Sequence, residues 1–310
     1  MKKPFYKKIW FWLIIIIVLG GAGAAGTNKK DKDDIVSVER PEKTELGTET
    51  QKSSSASEAS TQKNNEPTIN EMTLFDADGV KCIAKGIKND KIWGYGIDVE
   101  IENTTDKNII IQCDATIVND YMIFDIFSCD VAAGKKAKDT IKLSSNELNA
   151  AGIDNIGKVE IYFKILDPDT FSTIKKLDPV TIKTSSFSDM DTTADIGGKT
   201  LYDENGIKIV GRYVDNNSFW GAGICLYIEN NTDKNLIITA EDVSVNGYMI
   251  DGHLYCDIYA GKKAVDDIAF MSSKLEENGI TSVDDVELCF EFMDDDYNIE
   301  KTDVIKFSTK

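Results

Sequence analysis

"IENTTDKN" occupies residues 101–108 and "IENNTDKN" occupies residues 228–235, the same polar phrase written 127 positions apart. Sliding the chain by that interval extends the match in both directions without a gap. Leu74 falls on Leu201, Gly79 on Gly206, Trp93 on Trp220, and Asn119-Asp120-Tyr121-Met122-Ile123 on Asn246-Gly247-Tyr248-Met249-Ile250. Cys129 meets Cys256, Gly134-Lys135-Lys136-Ala137 meets Gly261-Lys262-Lys263-Ala264, and the match ends near Asp167 on Asp294 with 40 of 94 positions identical. Agreement on this scale predicts a tandem duplication. Its period is longer than that of solenoid repeats and suits whole domains.

Inside each copy the hydrophobic period is two. Ile97, Val99 and Ile101 alternate with Asp98, Glu100 and Glu102, and Ile224, Leu226 and Ile228 stand in the same register. Val159, Ile161, Phe163 and Ile165 alternate with Glu160, Tyr162 and Lys164. One apolar and one polar face is the mark of antiparallel strands with a wet side. Several such runs separated by turn signals predict an all-β fold, one β-sandwich per copy. A short helix interrupts each, since "SSNELNAAG" and "SSKLEENG" both offer a serine cap and a closing glycine. "NTTDKN" then reads as a strand connection whose Asn, Asp and Thr side chains bond the local backbone. "VND-YMI" and "VNG-YMI" read as tight hairpins.

The N-terminus has a different character. Lys2, Lys3, Lys7 and Lys8 precede an uncharged run from Ile9 to Gly26, with Trp10 and Trp12 near one end. As a helix that run rises roughly 27 Å, close to a hydrocarbon core of about 30 Å. The lysines favour a cytoplasmic N-terminus with everything after Gly26 outside. Residues 1–26 are therefore read as a signal anchor, with cleavage near Ala24 and secretion as the alternative. Residues 27–72, polar, free of aromatics and without an apolar period, read as a disordered stalk. Residues 73–185 form the first sandwich, 186–200 a linker and 201–310 the second sandwich. The chain carries a net charge of −18; without the four N-terminal lysines, 31 bases face 53 acids. Such a field disfavours nucleic acid and anionic lipid surfaces and invites divalent cations.

A strand ending in "IEN", a "TDKN" turn, a later "AGKK" loop and a following strand resemble the extracytoplasmic immunoglobulin-like domains of Gram-positive bacteria. These occur in lipoproteins and in single-span membrane proteins, often after a basic, Trp-rich anchor such as "YKKIWFWLIIII". The resemblance covers both copies and the N-terminus, and it implies two tandem immunoglobulin-like β-sandwiches displayed at the cell surface. The chain departs from the lipoprotein members in having no lipidation cysteine. The resemblance brings no general biochemical activity and so assigns no site.

Candidate chemistry is sparse. "DADG" (76–79) and "DENG" (203–206) place oxygen ligands two apart before a glycine, which makes Asp76, Asp78, Asp203 and Asn205 calcium candidates. The competing reading is a hairpin turn, where Asp-Gly and Asn-Gly are expected on backbone grounds. "DDD" at 294–296 and "DPD" at 167–169 read as solvated acidic loops. His253 is the single histidine and matches Ile126, so one base at most is available to a Ser-His or Cys-His pair. "GAGAAG" (21–26) fits a dinucleotide fingerprint in letters only, since it closes the apolar segment. Of six cysteines only Cys129 and Cys256 coincide between copies, which argues for buried thiols over an ancestral disulfide. Cys225 and Cys289 take the outward parity, leaving a bridge special to the second copy open. Trp93 and Trp220 read as core residues, with sugar stacking the alternative. Lys135-Lys136 and Lys262-Lys263 read as solvated loop, with docking of an anionic group the alternative.

No catalytic set and no cofactor-binding set stands out. The reading is a membrane-anchored, non-catalytic binding or scaffolding protein of the cell envelope, with a cell-wall or surface-protein ligand. The alternatives are a carboxylate-dependent envelope enzyme and a calcium-stabilised spacer.

Overall fold

The computed structural model describes residues 44–45, 66–90, 94–124, 126–190, 197–218 and 221–310. Its strands are numbered from β1 (Thr44–Glu45), two residues within the expected stalk. The alternating runs build strands, as their period requires. In the first half, β2 (Met72–Ala77), β3 (Val80–Asp90), β4 (Gly94–Asn103) and β8 (Lys135–Ser144) form a four-stranded antiparallel sheet in that order. Facing it, β5 (Ile109–Val118) pairs with β6 (Tyr121–Ile123), β7 (Ser128–Val131) and β9 (Lys158–Leu166), and β9 carries β10 (Thr173–Lys176) and β11 (Val180–Lys183).

The second half repeats this plan. β12 (Lys199–Glu204), β13 (Ile207–Ser218), β14 (Gly221–Asn230) and β19 (Lys262–Met271) make one layer, with β1 on β13 and β17 (Gly252–His253) on β19. β15 (Leu236–Val245) pairs with β16 (Tyr248–Met249), β18 (Tyr255–Ile258) and β20 (Asp285–Asp294) to make the other; β20 holds β21 (Ile299–Lys301) and β22 (Ile305–Ser308). Each half encloses its own core. In the first it is built around Ile97, Ile101, Ile141, Ile161 and Phe163, and in the second around Ile224, Ile228, Ile268, Leu288 and Phe290.

The repeated polar phrase is a clamp at the end of each sandwich. Asn103 and Asn230, 1% and 0% exposed, end β4 and β14. The Asn103 amide donates to the carbonyls of Lys107, Val131 and Ala132 at 2.7–3.3 Å, and its oxygen accepts from the Thr105 N–H and hydroxyl. Asn230 makes the same five bonds, to Lys234, Ile258, Tyr259 and Thr232. A buried amide so satisfied fixes both the TDKN turn and the approach of the AGKK loop.

The short helices form as expected, α1 over Ser145–Ala150 and α2 over Ser272–Glu277. Both close on a left-handed glycine, Gly152 and Gly279, with Ile153 and Ile280 donating back five residues to Leu148 and Leu275. Ser144 caps α1, accepting from Glu147 N. The second serine cap does not form: the N-cap of α2 is Met271, which has no capping oxygen.

The halves are not beads on a string. β6 of the first half pairs in parallel with β19 of the second at Tyr121 and Lys263, which merges two sheets into one of twelve strands. Val210 and Tyr227 of the second half pack into the first half's core cluster, and Met122 of the first packs against the second. This contact corrects the expectation of a wet outer face on β14. β4 alternates between buried and partly exposed along its C-terminal half, but β14 is buried on both faces from Ala222 to Ile228. Cys225, read as outward, is consequently buried. Cys289 is buried as well, and all six cysteines are free thiols, so no bridge joins them. Among the described residues no helix is long and apolar enough to cross a membrane. The apolar run 9–26, most of the stalk, Trp93 and Trp220 lie outside them.

Candidate functional site

Both calcium candidates sit in hairpin turns. Asp78 and Gly79 have φ of 52° and 82°, and Asn205 and Gly206 have 52° and 80°, the paired left-handed residues of a type I′ connection. Gly79 O accepts from Thr104 N and Gly206 O from Asn231 N, which ties each turn to its asparagine clamp. Asp78 pairs with Lys175 at 2.5 Å and Asp76 with Lys81 at 3.4 Å. Asp203 lies on β12 opposite Lys208. Among the described residues no group of three His, Cys, Asp or Glu side chains is arranged to hold a metal ion. The acidic loops are used in a similar way. The carboxylate of Asp167 accepts from the N–H groups of Asp169 and Thr170. That of Asp294 accepts from Asp296 N, Asn298 N and Lys234 Nζ. The Lys234 hydrogen bond, with those from Asn298, holds the Asp294 carboxyl far below the usual range.

Three of the thiols are held inert by burial. Burial pushes Cys82 up to about 12 and Cys129 up to about 11, and Cys256 well above the ordinary value. A thiol in that range supplies almost no thiolate near neutral pH. His253 is exposed on β17 and pairs through its backbone with Ala269.

The residues that the fold does bring together lie at the junction of the halves. Lys262, 13% exposed at its side chain, reaches across from β19 to Glu160 Oε2 at 2.7 Å and Asp120 Oδ1 at 3.4 Å. Asp120 also takes Lys158 at 2.6 Å, and the Tyr162 hydroxyl donates to Glu160 Oε1 at 2.9 Å. Burial would raise the Asp120 carboxyl, but the hydrogen bond from Lys158 and the two lysine charges outweigh it and leave it below the ordinary value. Burial, reinforced by Glu160, lifts Tyr162 to about 12, so its hydroxyl stays a donor. Aromatic pairs line both sides, Tyr121 with Tyr227 and Tyr162 with Tyr259, at centroid separations of 6.3 and 4.8 Å. Lys263 donates its N–H to Asp120 O at 2.9 Å and places its ammonium 5.5 Å from the Tyr121 ring centroid. At the far side Arg212 Nη1 donates to Ala150 O at 2.9 Å.

A carboxylate group completes the seam. Glu147 of α1 lies near Asp266 and Asp267 of β19, and Asp215 adds its charge to Asp267. Burial first, then the neighbouring charges, raises Asp266 to about 7 and moves Glu147 and Asp267 upward. Chemically the lysine side of this junction is a clamp, with Lys262 matched to Asp120 and Glu160 and ring to ring, whereas the Glu147–Asp266–Asp267 side gathers like charges.

Of the sequence candidates, only Lys262-Lys263 enters this cluster; Asp76, Asp78, Asp203 and Asn205 stand apart in their hairpins. Asp120, Glu160, Tyr162, Tyr227 and Tyr259 were not singled out by sequence. Four of them differ from the residue 127 positions away, where Gly247, Cys289, Glu100 and Ala132 stand for Asp120, Tyr162, Tyr227 and Tyr259; Glu160 recurs as Glu287.

No family model and no curated protein matches the chain. Among solved structures, the Salmonella enterica SafA pilin in complex with the SafB chaperone aligns at 15% identity over 69% of this chain and 88% of that one, with a TM-score of 0.20. The CsuC–CsuE chaperone–tip adhesion subunit complex of Acinetobacter baumannii pili aligns at 11% identity over 67% and 89%, with a TM-score of 0.21. The exo-β-D-glucosaminidase CsxA aligns at 10% identity over 70% and 26%, also at 0.21. At these scores the likenesses establish neither a common fold nor a common role.

Proposed function

We propose that the chain is a non-catalytic binding or scaffolding protein of the cell envelope, held by its N-terminal apolar segment and presenting two immunoglobulin-like sandwiches that arose by duplication. The observation that supports this reading is the junction. A protein whose halves share a sheet and a matched ion-pair cluster behaves as one stiff body, and stiffness suits presentation of a surface at a set distance. The recurring Asp76–Gly79 and Asp203–Gly206 turns, neither of them in the junction, give that body two similar contact surfaces, and two sites on one rigid chain gain avidity when both engage.

The test is co-sedimentation of the full chain in mild detergent with purified cell-wall sacculi, with and without calcium. Saturable pelleting supports a wall ligand, and calcium dependence would give the Asp76–Gly79 and Asp203–Gly206 turns a binding role. Absence of pelleting together with absence of any cross-linked surface protein in intact cells would sink the binding reading. Protease accessibility of the sandwiches in intact cells checks the outward orientation.

A further inference from the structure

The junction uses one edge of each half, and each half carries a second copy of the edge it does not use. β6 of the first half is covered, with Tyr121 and Ile123 each 4% exposed. Its counterpart β16 ends the second half's sheet, with Tyr248 52% and Met249 70% exposed. On the receiving side, β19 takes β6 at Lys263 and β17 at Ala269 and Phe270. Its counterpart β8 ends the first half's sheet, with no strand on its outer edge among the described residues and with Lys135 and Lys136 exposed. The internal contact is head-to-tail, so the molecule ends in a donor edge at one side and an acceptor edge at the other.

The donor side also has the matching recess. An open groove of about 830 Å³ beside β16 is lined by Asn246, Gly247, Asp285 and Glu287, and also by Asp284 and the basic Lys199, Lys306 and Lys310. The first four stand 127 residues beyond Asn119, Asp120, Lys158 and Glu160, the neighbourhood that holds Lys262. Gly247 has lost the Asp120 carboxylate, but Asp285 replaces the basic Lys158. Lys306 is on Glu287 at 2.8 Å and Lys310 on Asp284 at 2.9 Å, which leaves Asp285 as the carboxylate without an ion pair among the described residues, beside a Glu287 that a further lysine can share.

We propose that a second copy of this chain docks here, its β8 edge against the β16 edge, with Lys135 entering the Asp285–Glu287 groove and Lys136 over Tyr248. The backbone bond from Lys263 N to Asp120 O has a direct equivalent from Lys136 N to Gly247 O, because neither side chain is needed for it. The intermolecular contact is wetter than the internal one. Glu100 and Lys138 stand where Tyr227 and Val265 stand in the second half, and they pair with each other at 3.7 Å. Association is accordingly weak, salt-sensitive and favoured where copies are concentrated. A heterologous contact of this kind extends into rows or closes into rings. It does not depend on wall binding, and the two are read by different experiments.

Sedimentation velocity of the full chain in mild detergent, at rising concentration, tests it with Lys135→Glu and Glu287→Lys. The unaltered chain should show a mass that climbs with concentration. Each single variant places like charges at the contact and should shift the midpoint upward by roughly tenfold or more. An equimolar mixture of the two variants should associate again, since every contact then joins opposite charges. Unchanged melting curves confirm that the variants fold. A chain that stays monomeric throughout, variants that associate as the parent does, or a mixture that does not recover would each overturn the proposal.

Discussion

Truncating Lys262 is the sharpest probe of the junction, because the chain contains its own control. Lys262 is 13% exposed at its side chain and bonded to Glu160 and Asp120; Lys135, 127 residues earlier, is exposed and has no ion pair among the described residues. Removing one member of a buried pair costs about 3–5 kcal/mol when the other is left bare. Here Asp120 retains Lys158 and Glu160 retains the Tyr162 hydroxyl, so the expected loss for Lys262→Ala is smaller, about 2–3 kcal/mol. In a unit of this size each kcal/mol lowers Tm by about 2–4 °C, which gives a fall of roughly 5–10 °C. Lys135→Ala should change Tm by no more than about 2 °C, as surface substitutions do. Differential scanning calorimetry reads both, and also shows whether the parent's transition splits in two once the halves are uncoupled. Lys262→Met, which keeps the volume and drops the charge, should recover part of the loss. Equal melting temperatures for Lys262→Ala and Lys135→Ala would refute the claim that this cluster couples the halves.

Three further expectations concern single side chains. Asn103→Ala or Asn230→Ala removes five hydrogen bonds from a buried clamp and should cost about 2–4 kcal/mol in urea unfolding, with equal effects in the two halves. Gly221 sits at φ 142° with a would-be Cβ only 2.4 Å from Phe270 O and 2.6 Å from Ser272 N, so Gly221→Ala should cost more than about 2 kcal/mol by the same measurement. Asp266 has a folded value raised from 3.8 to about 7, so the native state keeps a proton that the unfolded chain releases. Its contribution is fully present below about pH 4 and declines as pH rises to about 7, the opposite direction from Asp120 and Asp114, whose lowered values favour the folded state at higher pH. Asp266→Asn should therefore stabilise by about 1–2 kcal/mol at pH 8, an allowance for its partial exposure, and by nearly nothing at pH 4, as Tm against pH will show.

The strands, turns and helices were legible because each rests on information within a few residues. Period two assigns the faces of β4 and β9, a left-handed Asn-Asp or Asn-Gly pair assigns the hairpins, and a closing glycine assigns the ends of α1 and α2. The N-cap of α2 was misread at the same local level: Ser272 fits the pattern, but the chain enters the helix one residue earlier, at Met271. The outer face of β14 failed for a different reason. Alternation reports which face meets a core, and β14 meets two, one in its own half and one in the other, so parity no longer separates inside from outside. The clue lay in the differences between positions 127 apart. Where identical residues recur, as at Asn103 and Asn230, they do the same job within each half. Where a charged residue faces an aromatic or apolar one, Glu100 against Tyr227 and Lys138 against Val265, one half is wet and the other is covered. Asp120 against Gly247 is the complementary case: the carboxylate stands on the half whose hairpin is docked, and glycine on the half whose hairpin is exposed. Such charge-to-apolar differences mark part of the junction, while Lys262, Lys263, Tyr121 and Glu160 take part in it and recur unchanged 127 residues away. Glu160 and Glu287 are another recurring pair, each beside a hairpin edge, so the sequence alone does not separate an internal contact from an external one. That is why the charge swap at Lys135 and Glu287, rather than inspection of either half alone, decides between them.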